Sequence, residues 1–386
     1  MPRLRILAAL VAAAPLALVG PQAATAVADV QPCRDAPTGP VRTGAVLNNP
    51  AEGDPTAVVR QVCSLVKQAP SGSLIRIAHF VVSGAAGLDF AQQVVAAHDR
   101  GVRVQVVLDG WQDTTPAAQL LREGLGEDAG ADSWLHVCSN VSPEGNTSSC
   151  LGTKGMHNKF YLFSETGRAK NVVVQSSANF TDVNSRSYWN NALTLVGNQR
   201  LYAAYGRYFE ELAAEERTDR TRGPVHTGMR GGPVTAYFFP VVEGDPVLGE
   251  LQGVRCHRGG TVRVGMSEWD DTRIAIAERL GELADAGCRV RVVHGPLEPG
   301  ITATFAAHPS IETRTLDSSA LPGRIHSKFL VVDAGGGARS SWVLTGSHNY
   351  NATSLRRNDE ALVKVADRSV VRTYAAGFDT MFGHAQ

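Results

Sequence analysis

The sequence predicts a duplicated α/β protein: two α/β/α sandwiches related by a pseudo-twofold axis, with one site at their interface. Three observations support this reading. A series of landmarks recurs in the same order in two parts of the chain, which duplication explains and coincidence does not. In each part amphipathic helices alternate with apolar strands, the pattern of layered α/β packing. A His-x-Lys pair also stands once in each part, although the chain holds only six lysines beside 31 arginines.

Residues 1–28 read as a secretory signal. Arg3 and Arg5 give the charged start, Ile6–Val19 the apolar run, and small residues place cleavage near Ala26 or Ala28. The run is too short and too Ala-rich for a permanent membrane anchor. Residues 29–215 form the first half. GAVLNNPAEGDP (44–55) opens it, SLIRIAHF (73–80) is an alternating strand, and FAQQVVAAHDRGVRVQVVLDG (90–110) is a helix, a Gly break and a buried strand. An insert at 110–156 precedes HNKFYLFS (157–164), QSSANF (175–180) and NNALTLV (190–196). Residues 216–233, charged and containing Gly and Pro, read as a linker.

Residues 234–386 repeat the series. TAYFFPVVEGDP (235–246) shares E-G-D-P with the first half, and TVRVGMSE (261–268) answers SLIRIAHF. IAERLGELADAGCRVRVVHGP (276–296) answers the helix, Gly and strand. RIHSKFLVVD (324–333), TGSHNY (345–350) and NDEALVKV (358–365) complete the copy.

Composition narrows the classes. A hydrophobic content of 43% is ordinary for a globular protein with a full core. The formal charge is zero, without the basic excess of a strong polyanion binder. Six cysteines behind a secretory leader suit disulfides in an oxidising compartment. Local pairing, Cys33–Cys63, Cys138–Cys150 and Cys256–Cys288, is the economical choice among the possible connectivities. None of these cysteines stands in a zinc-ligand pattern with His.

On an alternating strand His326 and Lys328 share a face, as do His157 and Lys159. Each pair is followed by a polar Ser-x-Asn turn, Ser177–Asn179 and Ser347–Asn349. Two imidazoles, two ammonium groups and two amides at one interface suit a phosphodiester. One imidazole can attack phosphorus while the other protonates the leaving oxygen. Lys159, Lys328, Asn179 and Asn349 would hold the non-bridging oxygens. No metal or other cofactor is needed for this chemistry.

H-x-K-x4-D followed by G-S-x-N resembles the signature of the phospholipase D superfamily, which His326, Lys328, Asp333, Gly346, Ser347 and Asn349 match in full. The resemblance extends through both halves, roughly residues 44–370. It implies a phospholipase D-like fold, and a carboxylate in NDEALV, Glu360 or Asp359, that orients the catalytic His. The first half departs from the pattern. Ser164 replaces the motif's carboxylate, Ser176 replaces its Gly, and Asn190–Asn191 replace the acidic pair. Decay of the first site is one reading. The favoured one is specialisation, in which an amide oxygen, with Asn191 as the candidate, still fixes the imidazole tautomer. The tyrosyl-DNA phosphodiesterase branch of the superfamily likewise lacks the motif's carboxylate. A neutral partner would leave His157 less basic than His326, making His157 the attacking group and His326 the first acid.

His79, Asp109 and His294 end predicted strands, where open α/β sheets place ligand sites, although ordinary loop or core placement is the commoner outcome. His348 occupies a variable motif position. Trp111, Trp134, Trp189, Trp269 and Trp342 are read mostly as core. Asn140, Asn146, Asn179 and Asn351 match the glycosylation pattern, and modification is discounted.

The leading functional expectation is an exported phospholipase D that hydrolyses headgroups, with transfer to an alcohol as a variant. A secreted nuclease of the same superfamily is the alternative. The absence of a basic excess counts against it. A non-catalytic phosphodiester-binding protein is the second alternative, weakened by retention of both His, both Lys and both Asn. The expected partner is a phospholipid or other phosphodiester, met in transient contact with a membrane surface. Nucleic acid takes its place under the alternative. Duplication within one chain makes a monomer sufficient.

Overall fold

The computed structural model describes residues 31–139, 148–218, 223–229, 231–257, 259–335 and 340–386. The expected leader and the glycosylation-pattern residues Asn140 and Asn146 lie outside them. The first half runs β1 (Gly44–Leu47), α1 (Ala57–Gln68), β2 (Leu74–His79), α2 (Gly84–Asp99), β3 (Arg103–Leu108), α3 (Pro116–Leu125), β4 (Trp134–Val137), β5 (Lys159–Thr166), β6 (Ala169–Ser176), α4 (Asp182–Arg186), β7 (Tyr188–Trp189), β8 (Asn191–Leu195) and α5 (Gln199–Ala214). The second runs β9 (Val225–Met229), β10 (Gly232–Phe238), α6 (Pro246–Gln252), β11 (Thr261–Met266), α7 (Ile274–Asp285), β12 (Arg289–His294), α8 (Pro299–Ala307), β13 (Glu312–Thr315), β14 (Arg324–Ile325), β15 (Lys328–Asp333), β16 (Ser341–Gly346), α9 (Ala352–Arg356), β17 (Ala361–Val365) and α10 (Arg368–His384). Val225–Met229, inside the stretch read as a linker, thus forms an edge strand.

Strand order shows the duplication directly. One sheet is β4-β3-β2-β5-β6-β8-β1 and the other β13-β12-β11-β15-β16-β17-β10, with β9 added at the edge. In both, the first three strands are parallel and the following pairs antiparallel. The E-G-D-P landmark recurs because it starts a helix. Asp245 accepts from the N–H groups of Val247 and Leu248, and Pro246 occupies the first helical turn. The Gly breaks after α2 and α7, Gly101 and Gly287, have φ of 86° and 92°, values that suit glycine.

The central strands are buried on both faces, which is why they read as continuous apolar runs. In β15, Phe329 and Val331 join an inner core shared by both sheets, while Leu330 and Val332 join an outer one. Helices α1, α2 and α3 cover the outside of the first sheet, and α6, α7 and α8 the outside of the second. Between the sheets lie α5 and α10, each touching elements of both halves.

One alignment from the sequence shifts by a residue. Pairing across β5 and β15 sets His79 opposite Lys159 and Met266 opposite Lys328. Val81 therefore answers Glu268, and Phe80 answers Ser267, one step from the SLIRIAHF–TVRVGMSE alignment. The alternation Ile75-Arg76-Ile77 matches Val262-Arg263-Val264 in this register, so the strands themselves carry it and the end-to-end alignment of the two stretches did not. The three disulfides are Cys33–Cys63, Cys138–Cys150 and Cys256–Cys288, as the local pairing expected.

Candidate active site

Both His-x-Lys pairs lie at the interface of the halves. The strands begin at Lys159 and Lys328, so each His stands just before its strand. Two cross-half contacts hold these segments. Asp359 N donates to Gly155 O, and His326 N donates to Trp189 O, both at 2.9 Å. β14 also pairs in parallel with β7, joining Ile325 to Trp189. The segment before each His therefore packs on the other half's acidic-segment position.

The orienting partners are consequently exchanged. His157 Nδ1 lies 2.9 Å from Glu360, and His326 Nδ1 lies 2.9 Å from Asn190 Oδ1. This overturns the expectation that His157 has the neutral partner: the first-half His has the carboxylate, and the second-half His the amide. The physical reason is the crossing of the chain segments at the interface, which no within-half alignment reveals. Burial alone would raise the Glu360 carboxyl, but the charge and hydrogen bond of His157, with His348 and Lys159, hold it down at about 2. An ionised carboxylate only accepts, so the His157 proton sits on Nδ1 and the Nε2 lone pair is free. Asn190 Nδ2 donates to the carbonyls of Asn184 and Tyr188, so its oxygen faces His326 and accepts the Nδ1 proton there too.

The same one-residue shift separates the supporting residues. Asn190, not Asn191, answers Glu360. Asn191 Oδ1 accepts from Lys328 N, and its Nδ2 donates to Thr345 and Tyr374, so it braces the sheet and does not serve an imidazole. Asp359 likewise turns away from the His. It accepts from the N–H groups of Cys150 and Leu151, and burial raises it to about 7. Ser177 donates to Asn190 Oδ1 and accepts from Asn191 N, while Ser347 accepts from Ala361 N. Asp333 lies at the far end of β15, bonded to Ser341 and Gly335. Its counterpart Ser164 accepts from Leu74 N at the matching end of β5. The motif's carboxylate thus serves its own hairpin and its replacement a neighbouring strand, both about five strand residues, or roughly 16 Å, from the lysines.

Lys159 and Lys328 are buried, and each Nζ donates to the carbonyl of the His two residues before it. Burial pulls the Lys328 ammonium down to about 8 and lowers Lys159 well below its usual range, opposed there by Glu360. Burial also lowers His157, against the pull of Glu360. His326, with burial and the charges of Lys328 and Lys159 acting together, falls well below the ordinary imidazole value. Asn179 and Asn349 are 8% and 7% exposed, yet their Oδ1 atoms make no hydrogen bond. This arrangement can bind an anion and move a proton.

The other singled-out residues divide. Asp109 accepts from Trp111 N and Met156 N, bracing the segment ahead of His157. His79 is core: its ring bonds Tyr161 and Phe180 N. His294 bonds the Gly295 carbonyl, and His348 is buried against Phe239. Trp134, Trp189, Trp269 and Trp342 are buried, whereas Trp111 is 59% exposed beside Phe80. Sequence reasoning missed Asn190 as the His326 partner, and it missed Phe80 and Glu268. Symmetry between the halves was the available signal, blurred by the register slip.

No curated protein sequence matches the chain. Among solved structures, phosphatidylserine synthase from Haemophilus influenzae is similar over 89% of this chain and 87% of its own, at 12% identity and a TM-score of 0.61. Polyphosphate kinase from Porphyromonas gingivalis is similar over 87% of this chain, at 14% identity and a TM-score of 0.55. This chain spans about half of that enzyme, 49% of its length. At such identities these likenesses concern the fold alone. The family model described as cardiolipin synthase, PLD-like domain, matches residues 62–213 and 257–382, one block in each half, and the chain therefore belongs to the phospholipase D superfamily.

Proposed function

We propose that the chain is an exported, metal-independent phosphodiesterase that hydrolyses phospholipid headgroups through a phosphohistidine. The observation that carries this reading is the crossed pairing, His157 with Glu360 and His326 with Asn190, around two buried lysines. Attack belongs to His157, on a ground different from the neutral partner expected for it. Glu360 fixes its tautomer and compensates the positive charge that develops on the ring when Nε2 bonds to phosphorus. His326, protonated and without an anionic partner, gives its proton to the leaving oxygen as the P–O bond breaks. Neutral His326 then takes a proton from water. The water oxygen bonds to phosphorus, the P–N bond breaks, and its electron pair returns to His157. Lys159 and Lys328, with Asn179 and Asn349, would steady the non-bridging oxygens throughout.

Export is supported by the three disulfides. Among the described residues no helix is long and apolar enough to cross a membrane. Lipid is favoured over nucleic acid by the apolar rim of Phe80 and Trp111 and by the zero formal charge.

The test is release of choline from phosphatidylcholine vesicles in EDTA, run beside single- and double-stranded DNA. Release should persist in EDTA and fall by at least about a thousandfold in His326→Ala. Cleavage of DNA without lipid turnover would replace this reading with a secreted nuclease. Folded protein inactive on all three would overturn it.

A further inference from the structure

The two halves repeat the His, Lys, Ser and Asn positions but not the residues just beyond β2 and β11. Phe180 N donates to Val81 O at 3.0 Å, and Tyr350 N donates to Glu268 O at 3.1 Å, so Phe80–Val81 and Ser267–Glu268 are matched pairs. The first pair is apolar. The Phe80 ring stands edge-on to His157 at 4.7 Å, and Lys159 Nζ lies 4.7 Å from its centre. Trp111 extends this apolar side outward.

The second pair is polar and anionic. Asn349 Nδ2 donates to Glu268 Oε2 at 3.3 Å, and the Glu268 side chain is 49% exposed. Ser267 Oγ and Asn349 Oδ1 lack hydrogen-bond partners, although their residues are 1% and 7% exposed. Arg324 approaches Asp317 at 3.2 Å but Glu268 only at 3.9 Å. Glu268 and Asp317 share one guanidinium, and the other nearby cation, Lys328, is the one assigned to the phosphate, so a carboxylate charge stays available to a headgroup on the His326 side. A carboxylate this close to the phosphate lysines repels a bare phosphodiester, but it attracts one whose alcohol carries a cation. On the first side, Asp109 and Glu360 are buried and occupied by backbone N–H groups and by His157.

We propose that Glu268 selects the leaving alcohol: the His326 side takes a cation-bearing headgroup, while Phe80, Val81 and Trp111 hold the apolar arm that stays on phosphorus. The inference rests on the reaction proposed above. In-line attack by His157 puts the leaving oxygen opposite it, towards His326 and Glu268.

The experiment compares kcat/KM for dioctanoyl phosphatidylcholine and dioctanoyl phosphatidylglycerol, both below micelle-forming concentrations, with bis(p-nitrophenyl) phosphate as a general diester. Wild type should prefer the choline lipid, and Glu268→Gln should reduce the choline-to-glycerol ratio by about fivefold or more. Glu268→Lys should invert the preference. Equal losses on both lipids in Glu268→Gln would make Glu268 only a support for Asn349 and overturn the inference. So would a wild type that prefers the glycerol lipid. Turnover of the general diester, abolished by His326→Ala, without lipid turnover would refute the headgroup inference and leave a phosphodiesterase. No diester turnover by folded protein would remove both.

Discussion

At the scale of single residues, the asymmetry between Glu360 and Asn190 separates two otherwise matched imidazoles. In the proposed reaction His326 must be protonated to act as the acid, so activity should fall as pH rises through its pKa. Burial and the two lysines hold that value well below 6.5 in the free protein. The alkaline limb of kcat/KM should therefore lie below pH 6.5, and that of kcat higher, because the bound phosphodiester anion favours the imidazolium. Asn190→Asp should raise the kcat/KM limb by about one pH unit. It should also lower stability by about 1–3 kcal/mol, since two carbonyls lose the amide donor now bonded to them. A pH–rate profile with a melting curve checks both. A limb that stays in place in a folded variant would show that Asn190 does not govern His326. The first half's Ser176, in place of the motif Gly, is accommodated: its Oγ donates to Asn191 O and accepts from Ala178 N. At Gly346 an added Cβ would come within 2.0 Å of Ala361 O, so only the second half requires glycine.

At the scale of elements, the Cys138–Cys150 loop is tied to the site and the Cys256–Cys288 loop is not. Cys150 N donates to Asp359, the residue before Glu360. Cys256 lies near Ala334, whose carbonyl receives His257 N, at the opposite ends of the strands. Their sequence separations are 12 and 32. Loop closure makes the stabilities comparable, about 3 kcal/mol for the shorter loop and about 4 kcal/mol for the longer. Replacing both cysteines of either pair by Ser should thus lower the melting temperature similarly. Only Cys138→Ser with Cys150→Ser should also lower kcat, because the segment holding Glu360 loses its anchor. Equal activity of the two folded double variants would refute this coupling. The helix starts, Gly breaks and central strands were legible because each is a local pattern. The start of the strand after His157 and His326 was not, because pairing with neighbours decides it.

At the scale of the whole molecule, the halves share one core. Trp189, Phe238, Ile325, Phe329 and Tyr374 belong to a single buried cluster between the sheets, and α10 packs on elements of both halves. Each such aromatic or aliphatic side chain contributes about 1.5–3 kcal/mol by burial. Unfolding should therefore appear as one calorimetric transition. Trp189 is 1% exposed, and its Nε1 donates to Pro322 O across the interface. Trp189→Ala should cost about 3–5 kcal/mol and lower that single transition as a unit. Two separated endotherms would mean that the halves fold independently.

By itself, the sequence determined the duplication, the alternation of helix and strand and the repeated His, Lys, Ser and Asn positions, and it offered the disulfide partners only as the economical choice. All of these are written in short-range pattern or in repeated order along the chain. The tertiary structure alone decided which imidazole meets a carboxylate. His157 and Glu360 are 203 residues apart, and His326 and Asn190 are 136 apart. Contacts of that kind depend on how two packed sheets cross at their interface, and local pattern carries no record of the crossing.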